Sequence, residues 1–309
     1  MKSSVRIGTR GSKLALYQAE LVRFKLKQFH PSCEFELVQI HTKGDLTKRG
    51  AIDTSGPGMF TREIEEALLR KEIDLAVHSA KDLASELPEG LSIAAVLTRE
   101  DSRDCLVAHK GAKLKGLNAG AKVGTSSLRR KAQLKKLRPD LQFCEMRGNV
   151  DTRVKKIEQG EFDAMVIAYA GLKRLKLTQC ASEIFDPEIF LPQAGQGALA
   201  VEIRSNDSRA EELAKPLHDE LSGICLSAER SFLKQLEGGC QVPAGIFSKL
   251  ENKTIWLKGS IFSIDGDREI TNSVSGTLAE AERLGRDLAN QLLASGGAEI
   301  LEEIRNAKK

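Results

Sequence analysis

Strand-like apolar runs alternate with helical patterns through the first two-thirds of the chain: VRIG, SKLALYQAELVRFKLKQF, FELVQI, TREIEEALLRKE and IDLAVHS. This rhythm predicts an α/β fold with mainly parallel sheets covered by helices, where ligands gather at the carboxyl ends of strands. The loops after strands are therefore the places to seek chemistry. Beyond a connection containing Pro216 the pattern changes. A helical segment, SGICLSAERSFLKQLEGG, precedes three alternating stretches, VPAGIFSKL, TIWLKGSIFS and REITNSVSG, separated by the turns ENK and DGD. A final helix is expected from about Ala279 to Ala307, so this end reads as a small α+β domain.

Two pairs of segments echo one another. IGTRGSKLAL from Ile7 and VGTSSLRRKAQL from Val123 share a strand, a Gly-Thr turn, a Ser and a helix; EIDLAVHSAKDL from Glu72 resembles EFDAMVIAYAGLKRL from Glu161. The echo suggests two similar α/β domains facing each other, although two unrelated strand-turn-helix units can also look alike. The expected division is a first domain over 1–98 plus about 195–216, a second over 103–191 and a third over 220–309. LPQAGQGALAVEIR would return a strand to the first domain.

Composition narrows the function classes. A chain of 309 residues exceeds one ordinary core, and no apolar run approaches the roughly 20 residues of a membrane span. The N-terminus MKSSVRIGTRGSKLAL lacks an apolar export region, so a cytoplasmic protein is expected. Forty-seven basic residues are interleaved with 43 acidic ones, and 11 Phe, 2 Tyr and 1 Trp offer few stacking surfaces. Nucleic acid is thus a poor candidate partner. Cysteines 33, 105, 144, 180, 225 and 240 include no CxxC pair, which argues against a zinc site and a disulfide framework. No metal site is expected, and GxGxxG opening a helix, GxxxxGK[ST] and HExxH are absent.

The basic residues concentrate at strand-to-helix junctions. In VGTSSLRRKAQL, Ser126 or Ser127 can cap a helix whose first turn holds Arg129, Arg130 and Lys131, the wrong sign for the positive end of a helix dipole. An anion should sit there, held by backbone N–H groups and guanidiniums suited to carboxylate or phosphate. Arg147 and Arg153 in MRGNVDTRV, Arg10 before Ser12, and Arg174 after DAMVIAYA repeat the arrangement. Together they read as one polyanion cleft between the domains. HSAKDL puts Lys81 and Asp82 at the same rim; ordinarily a surface ion pair, here Asp82 would be the acidic group among arginines, able to accept an N–H or stabilise a developing cation. His78 is expected to pack at its strand end. Cys240, in the loop GGCQVPAG, can serve as a nucleophile or a tether, whereas the other five cysteines read as buried fillers.

In order through nearly the whole chain, IGTRGSKLALYQA, HTKGD, HSAKDL, VGTSSLRRKAQL, RGNVDTRVKKI, AGLKRL, LPQAGQGALAVE and ERSFLKQLEGGCQVPAG resemble the hydroxymethylbilane synthase (porphobilinogen deaminase) family. The resemblance implies two domains like type II periplasmic binding proteins plus a small α+β domain carrying the cysteine. It also implies a transferase that adds four porphobilinogen units head to tail, with loss of ammonia, to a dipyrromethane cofactor on Cys240, then hydrolyses off linear hydroxymethylbilane. Asp82 matches the family's catalytic carboxylate. Arg10, Ser12, Lys81, Ser127, Arg129, Arg130, Arg147, Arg153 and Arg174 match its acetate- and propionate-binding positions, and a monomer without nucleic-acid or membrane partner is implied. Two departures stand out. Pro57 in Ser55-Gly56-Pro57-Gly58 occupies the place of a lid lysine, with Lys43 or Lys48 as possible substitutes, and Ala84-Ser85 replaces a Pro-Thr after the catalytic Asp. Competing readings are an anion-binding module without catalysis, which has no need of GGC, and a nucleic-acid-binding protein.

Overall fold

The computed structural model describes residues 4–42, 60–236 and 242–307. Along the chain run β1 (Val5–Arg10), α1 (Lys13–Phe29), β2 (Phe35–Ile40), α2 (Arg62–Leu69), β3 (Leu75–Ser79) and β4 (Leu91–Val96). Next come β5 (Asp104–Ala108), β6 (Lys122–Gly124), α3 (Leu128–Leu137), β7 (Gln142–Cys144), α4 (Val150–Glu158), β8 (Ala164–Ala168), α5 (Tyr169–Arg174) and β9 (Glu183–Ile184). The rest comprises β10 (Leu199–Arg204), α6 (Ser208–Ala214), α7 (Glu220–Gln235), β11 (Ala244–Glu251), β12 (Thr254–Phe262), β13 (Glu269–Thr277), α8 (Ala281–Leu292) and α9 (Ala298–Asn306). They form two compact units, Met1–Glu100 with Gly197–Gly223, and Asp101–Gln196 with Ile224–Lys309.

In the first unit the strand order is β2-β1-β3-β10-β4. β1 lies parallel to β2 and β3, while β10 runs antiparallel to both β3 and β4. Successive residues of a strand face opposite sides, and both sides here are covered. Leu75 and Val77 join Val22 and Leu26 of α1 in one core, whereas Ala76 packs with Ile64 and Leu68 of α2 in another. A strand covered on both faces favours apolar residues on both, which is why Leu75, Ala76 and Val77 form an unbroken apolar run.

The second unit repeats that topology with different segments. Its sheet has the order β7-β6-β8-β5-β9, with β6 parallel to β7 and β8, and β5 antiparallel to β8 and β9. The echoed sequences therefore occupy equivalent strands, β1 with β6 and β3 with β8. Even the glycines match: a Cβ on Gly8 would collide with Ile73, and one on Gly124 with Met146. The sheets are mixed, not mainly parallel as the alternation suggested, because β10 and β5 each enter from outside the local βαβ run and pair on both sides antiparallel.

Also in the second unit, β11, β12 and β13 form an antiparallel sheet. Its core joins Ile255, Leu257 and Ile261 to Phe232 of α7 and to Leu284, Leu288 and Leu292 of α8. Ala132 of α3, Leu191 and Phe262 of β12 form a smaller buried cluster. The single terminal helix expected from about Ala279 to Ala307 is two helices. Gly296 has φ 106°, a left-handed conformation that breaks α8 from α9.

Candidate active site

Four of the expected site residues lie in the first unit. Arg10 ends β1 and places its guanidinium 4.2 Å from the centre of the Phe60 ring, a cation–π contact. Ser12 is the N-cap of α1, its hydroxyl accepting the Ala15 N–H at 3.2 Å. The sharp exit from β1 is fixed by buried Thr9, whose hydroxyl donates to the Ala15 carbonyl at 3.2 Å. Lys81 and Asp82, both half-buried, stand in a single 3-10 turn directly after β3. That turn is tied to its neighbours twice. Ala80 N–H donates to the Ala198 carbonyl at 3.0 Å, and Gln18 of α1 donates to the Ser79 hydroxyl at 2.9 Å. His78 is buried on the other face of β3, Nε2 lying 3.0 Å from Glu202 Oε2, so it belongs to the sheet's packing as expected.

The remaining described candidates lie in the second unit. Ser127 is the N-cap of α3 and accepts the Arg130 N–H at 3.4 Å; Ser126 instead bridges to Met146, donating to its carbonyl at 3.1 Å. Arg129 and Arg130, only 3% and 8% exposed, are not a solvated basic face. Both turn onto Asp104, the first residue of β5. Arg129 Nη1 donates to Oδ2 at 2.7 Å, and Arg130 donates to Oδ1 through Nε at 3.0 Å and Nη2 at 2.8 Å. The anion demanded by the sign of the α3 helix start is thus supplied in part by the protein itself.

Electrostatics follow from that burial. Desolvation raises the Asp104 carboxyl, but the charges of Arg129 and Arg130 and the bonds from Arg129 and Gln196 outweigh it and hold the group below the usual carboxylate range. Burial pulls the Arg129 guanidinium below its ordinary value against the pull of Asp104. Arg129 Nη1 also donates to the Leu191 carbonyl at 2.5 Å, yet its buried Nε and Nη2 have no acceptor among the described residues. An unsatisfied buried donor costs about 1–3 kcal/mol, more when charged. Arg129 lines a pocket with Ser127, Gln193, Phe232 and Val242, the last two positions beyond Cys240.

Arg153 stands near the start of α4 and donates to the Gly148 carbonyl at 2.7 Å; burial and the adjacent charge of Arg130 push its guanidinium down to about 10. It therefore joins the Arg129–Arg130 group. Arg147 is exposed and paired with Glu145 at 3.2 Å, and Arg174 is buried at the end of α5. Cys240, Lys43, Lys48 and Pro57 lie outside the described residues. Of the other cysteines, Cys105 and Cys225 are buried as expected, whereas Cys33, Cys144 and Cys180 are only half-buried.

Sequence reading missed Asp104 and Gln196. Asp104 sits in REDSRD, where alternating charges imitate a solvated loop; the signal available was its place at the head of the apolar strand DCLVA. Gln196, fully buried, donates to Asp104 Oδ1 at 3.1 Å and to the Ser102 carbonyl at 2.7 Å. Its signal was a polar side chain inside AGQGALAV, a stretch otherwise apolar or glycine.

Comparison with known proteins bears on what this arrangement serves. Residues 5–212 match the family model described as porphobilinogen deaminase, dipyromethane cofactor binding domain, and residues 224–294 match porphobilinogen deaminase, C-terminal domain. A porphobilinogen deaminase of Chlorobium luteolum is 45% identical over 312 residues, covering 99% of this chain and 100% of the relative. Those of Syntrophobacter fumaroxidans and Carboxydothermus hydrogenoformans are also 45% identical, covering 98% and 99% of this chain and 98% of each relative. Among solved structures, a BvgS periplasmic VFT2 domain of Bordetella pertussis gives TM-score 0.41 at 14% identity, over 73% of this chain and 93% of that one. With both family models matched in order and relatives aligned end to end, the chain belongs to the porphobilinogen deaminase family.

Proposed function

We infer that this protein is a hydroxymethylbilane synthase. It condenses four porphobilinogen molecules head to tail on a covalent dipyrromethane primer, releases an ammonia at each addition, and hydrolyses the finished chain to linear hydroxymethylbilane. Beyond family membership, the observation that carries the reading is the buried edge of Arg129, whose Nε and Nη2 lack acceptors among the described residues, on a residue that lines a pocket together with Val242. Dipyrromethane fits this donor set, since its pyrroles carry carboxylates and its attachment needs a thiol such as Cys240. When bound, it supplies the free pyrrole position on which the chain grows.

The residues divide the work by charge. Each porphobilinogen brings two carboxylates, so negative charge accumulates as the chain lengthens, and guanidiniums in a poorly hydrated setting neutralise it far better than water-exposed ones. Ser127, Arg129, Arg130, Arg147 and Lys81 are assigned to the cofactor's carboxylates; Arg10, Ser12, Arg147, Arg153 and Arg174 to those of substrate and growing chain. Asp82 is the catalytic group. Held in a short turn anchored by Ala198, its carboxylate accepts the pyrrole N–H, stabilises the electron-poor carbon left when ammonia departs from the substrate, and assists proton transfer. Cys240 is an anchor through its thioether sulfur and is not consumed in turnover. We assign the chain three domains, 1–98 with about 195–216, 103–191 and 220–309, working as a cytoplasmic monomer without nucleic acid. No described helix is long and apolar enough to cross a membrane.

Mass spectrometry and variants test this. Peptides containing Cys240 should carry the mass of two linked pyrrole units, and Cys240→Ser should lack both the adduct and porphobilinogen consumption. Asp82→Asn should keep the adduct while losing about 10²–10⁴-fold in turnover. An unmodified Cys240 together with full activity in Cys240→Ser would overturn the reading, and rapid turnover by Asp82→Asn would remove Asp82 from its role.

A further inference from the structure

One member of the buried charge group in the second unit has been given no part in the reaction. Asp104 is 0% exposed, and four N–H groups converge on it: Arg129 Nη1 on Oδ2, and Arg130 Nε, Arg130 Nη2 and Gln196 Nε2 on Oδ1. Gln196 also accepts from Arg130 Nη2 at 3.3 Å and donates to the Ser102 carbonyl, so it locks the carboxylate and the guanidinium together. This leaves Asp104 with no room to rotate.

The geometry treats the two arginines differently. Arg130 gives one whole edge, Nε and Nη2, to a single oxygen of Asp104, whereas Arg129 gives only Nη1. The two guanidinium charges bonded to Asp104 exceed its single negative charge, so the pair keeps a positive excess. The buried N–H groups of the cluster without an acceptor among the described residues are Arg129 Nε and Nη2, which form the other edge of that guanidinium. We propose that Asp104 is a positioning residue for the condensation: it occupies the Nε–Nη2 edge of Arg130 and one side of Arg129, and so presents the remaining edge of the Arg129 guanidinium to one pyrrole carboxylate. The inference rests on the hydroxymethylbilane synthase reading. Without Asp104 two like charges would face each other in a buried space, Arg130 would seek another anion, and Arg129 would lose the contact that orients its free edge.

The test uses the holoenzyme with Asp104→Asn, which keeps the shape and removes the charge. In folded, adduct-bearing variant, kcat/KM for porphobilinogen should fall about 100-fold, the scale of a misplaced binding group. Inorganic sulfate should also inhibit it at concentrations that leave the unaltered enzyme unaffected, because the Nε–Nη2 edge of Arg130 is now open to a further anion. Failure of the folded variant to acquire the adduct, while the unaltered chain carries it, would support the proposal equally. Leu288→Ala, in the core of the third sheet, serves as a control: it should lower stability without creating sulfate sensitivity. A folded Asp104→Asn with unaltered kcat/KM, or with a loss that brings no sulfate sensitivity, would overturn the role of Asp104 alone. If Asp104→Asn does not fold, Gln196→Met keeps every charge and removes the lock; it should lower kcat/KM several-fold, and an unchanged value would overturn the proposal. An unaltered protein with neither adduct nor porphobilinogen consumption would overturn the functional reading and this role with it.

Discussion

Cys105 and Asp104 are neighbours in β5, and burial gives them opposite fates. Burial pushes the Cys105 thiol up to about 12, and the negative charge of Asp104 adds to the shift, so no thiolate forms near neutral pH and the side chain is inert. Asp104 stays ionised because two guanidiniums and Gln196 replace its water. The six cysteines therefore offer a direct count. After denaturation, five thiols should react with an alkylating reagent, since a thioether at Cys240 removes the sixth; six reactive thiols would mean that nothing is attached. Much at this scale was legible from sequence. Arginines in the first turn of a capped helix contradict the helix dipole, and the contradiction itself marked Arg129 and Arg130 as anion-binding. What sequence could not carry was the identity of the first anion. Asp104 looks like any acid in a mixed-charge loop until β5 is known to lie inside the sheet between β8 and β9.

Helices and strands were legible where periodicity was long and unbroken, as in α1, and less so where one residue's backbone decides the outcome. The apolar spacing of the C-terminal stretch continues through Ser295-Gly296-Gly297, and reading the spacing alone joins α8 to α9; the paired glycines were the available warning. At Gly296 an added Cβ would meet nothing closer than 3.6 Å, so space is not the difficulty and φ is. Gly296→Ala should cost about 1–3 kcal/mol, read as a lower urea midpoint with an unchanged slope. The start of the same helical region depends on a capping box. Glu280 accepts the Thr277 backbone N–H at 3.0 Å and the Thr277 hydroxyl at 2.9 Å, and with Arg283 beside it the carboxyl falls from 4.5 to about 2. A carboxyl lowered by folding stabilises above its unfolded value and loses that contribution as pH falls through its folded one. The Tm difference between the parent and Glu280→Gln should thus be present at about pH 6 and shrink between about pH 4.5 and 2. A difference that stays constant across this range would show that Glu280 acts through something other than its charge.

The whole chain carries one sheet plan twice, and the repeated sequence fragments mark it, but strand sense was beyond their reach because β5 and β10 lie outside the echoed pieces. Apolar clusters follow the same division. Ile7, Leu75 and Leu199 belong to one core in the first unit, while Phe232, Ile255 and Leu288 belong to another in the second. Cores that share no residues can lose stability separately, since each unit opens at a free energy set by its own buried contacts. Leu288→Ala removes a fully buried side chain from the second unit and should cost about 2–5 kcal/mol there. Native-state hydrogen exchange reads the consequence by location. Amides of β11, β12 and α8 should exchange faster in the variant, by the factor that this loss implies, while those of β1, β3 and β10 keep their protection. If protection fell equally throughout, the chain would open as one cooperative body, and the two sheets, however alike in plan, would not be separate units of stability.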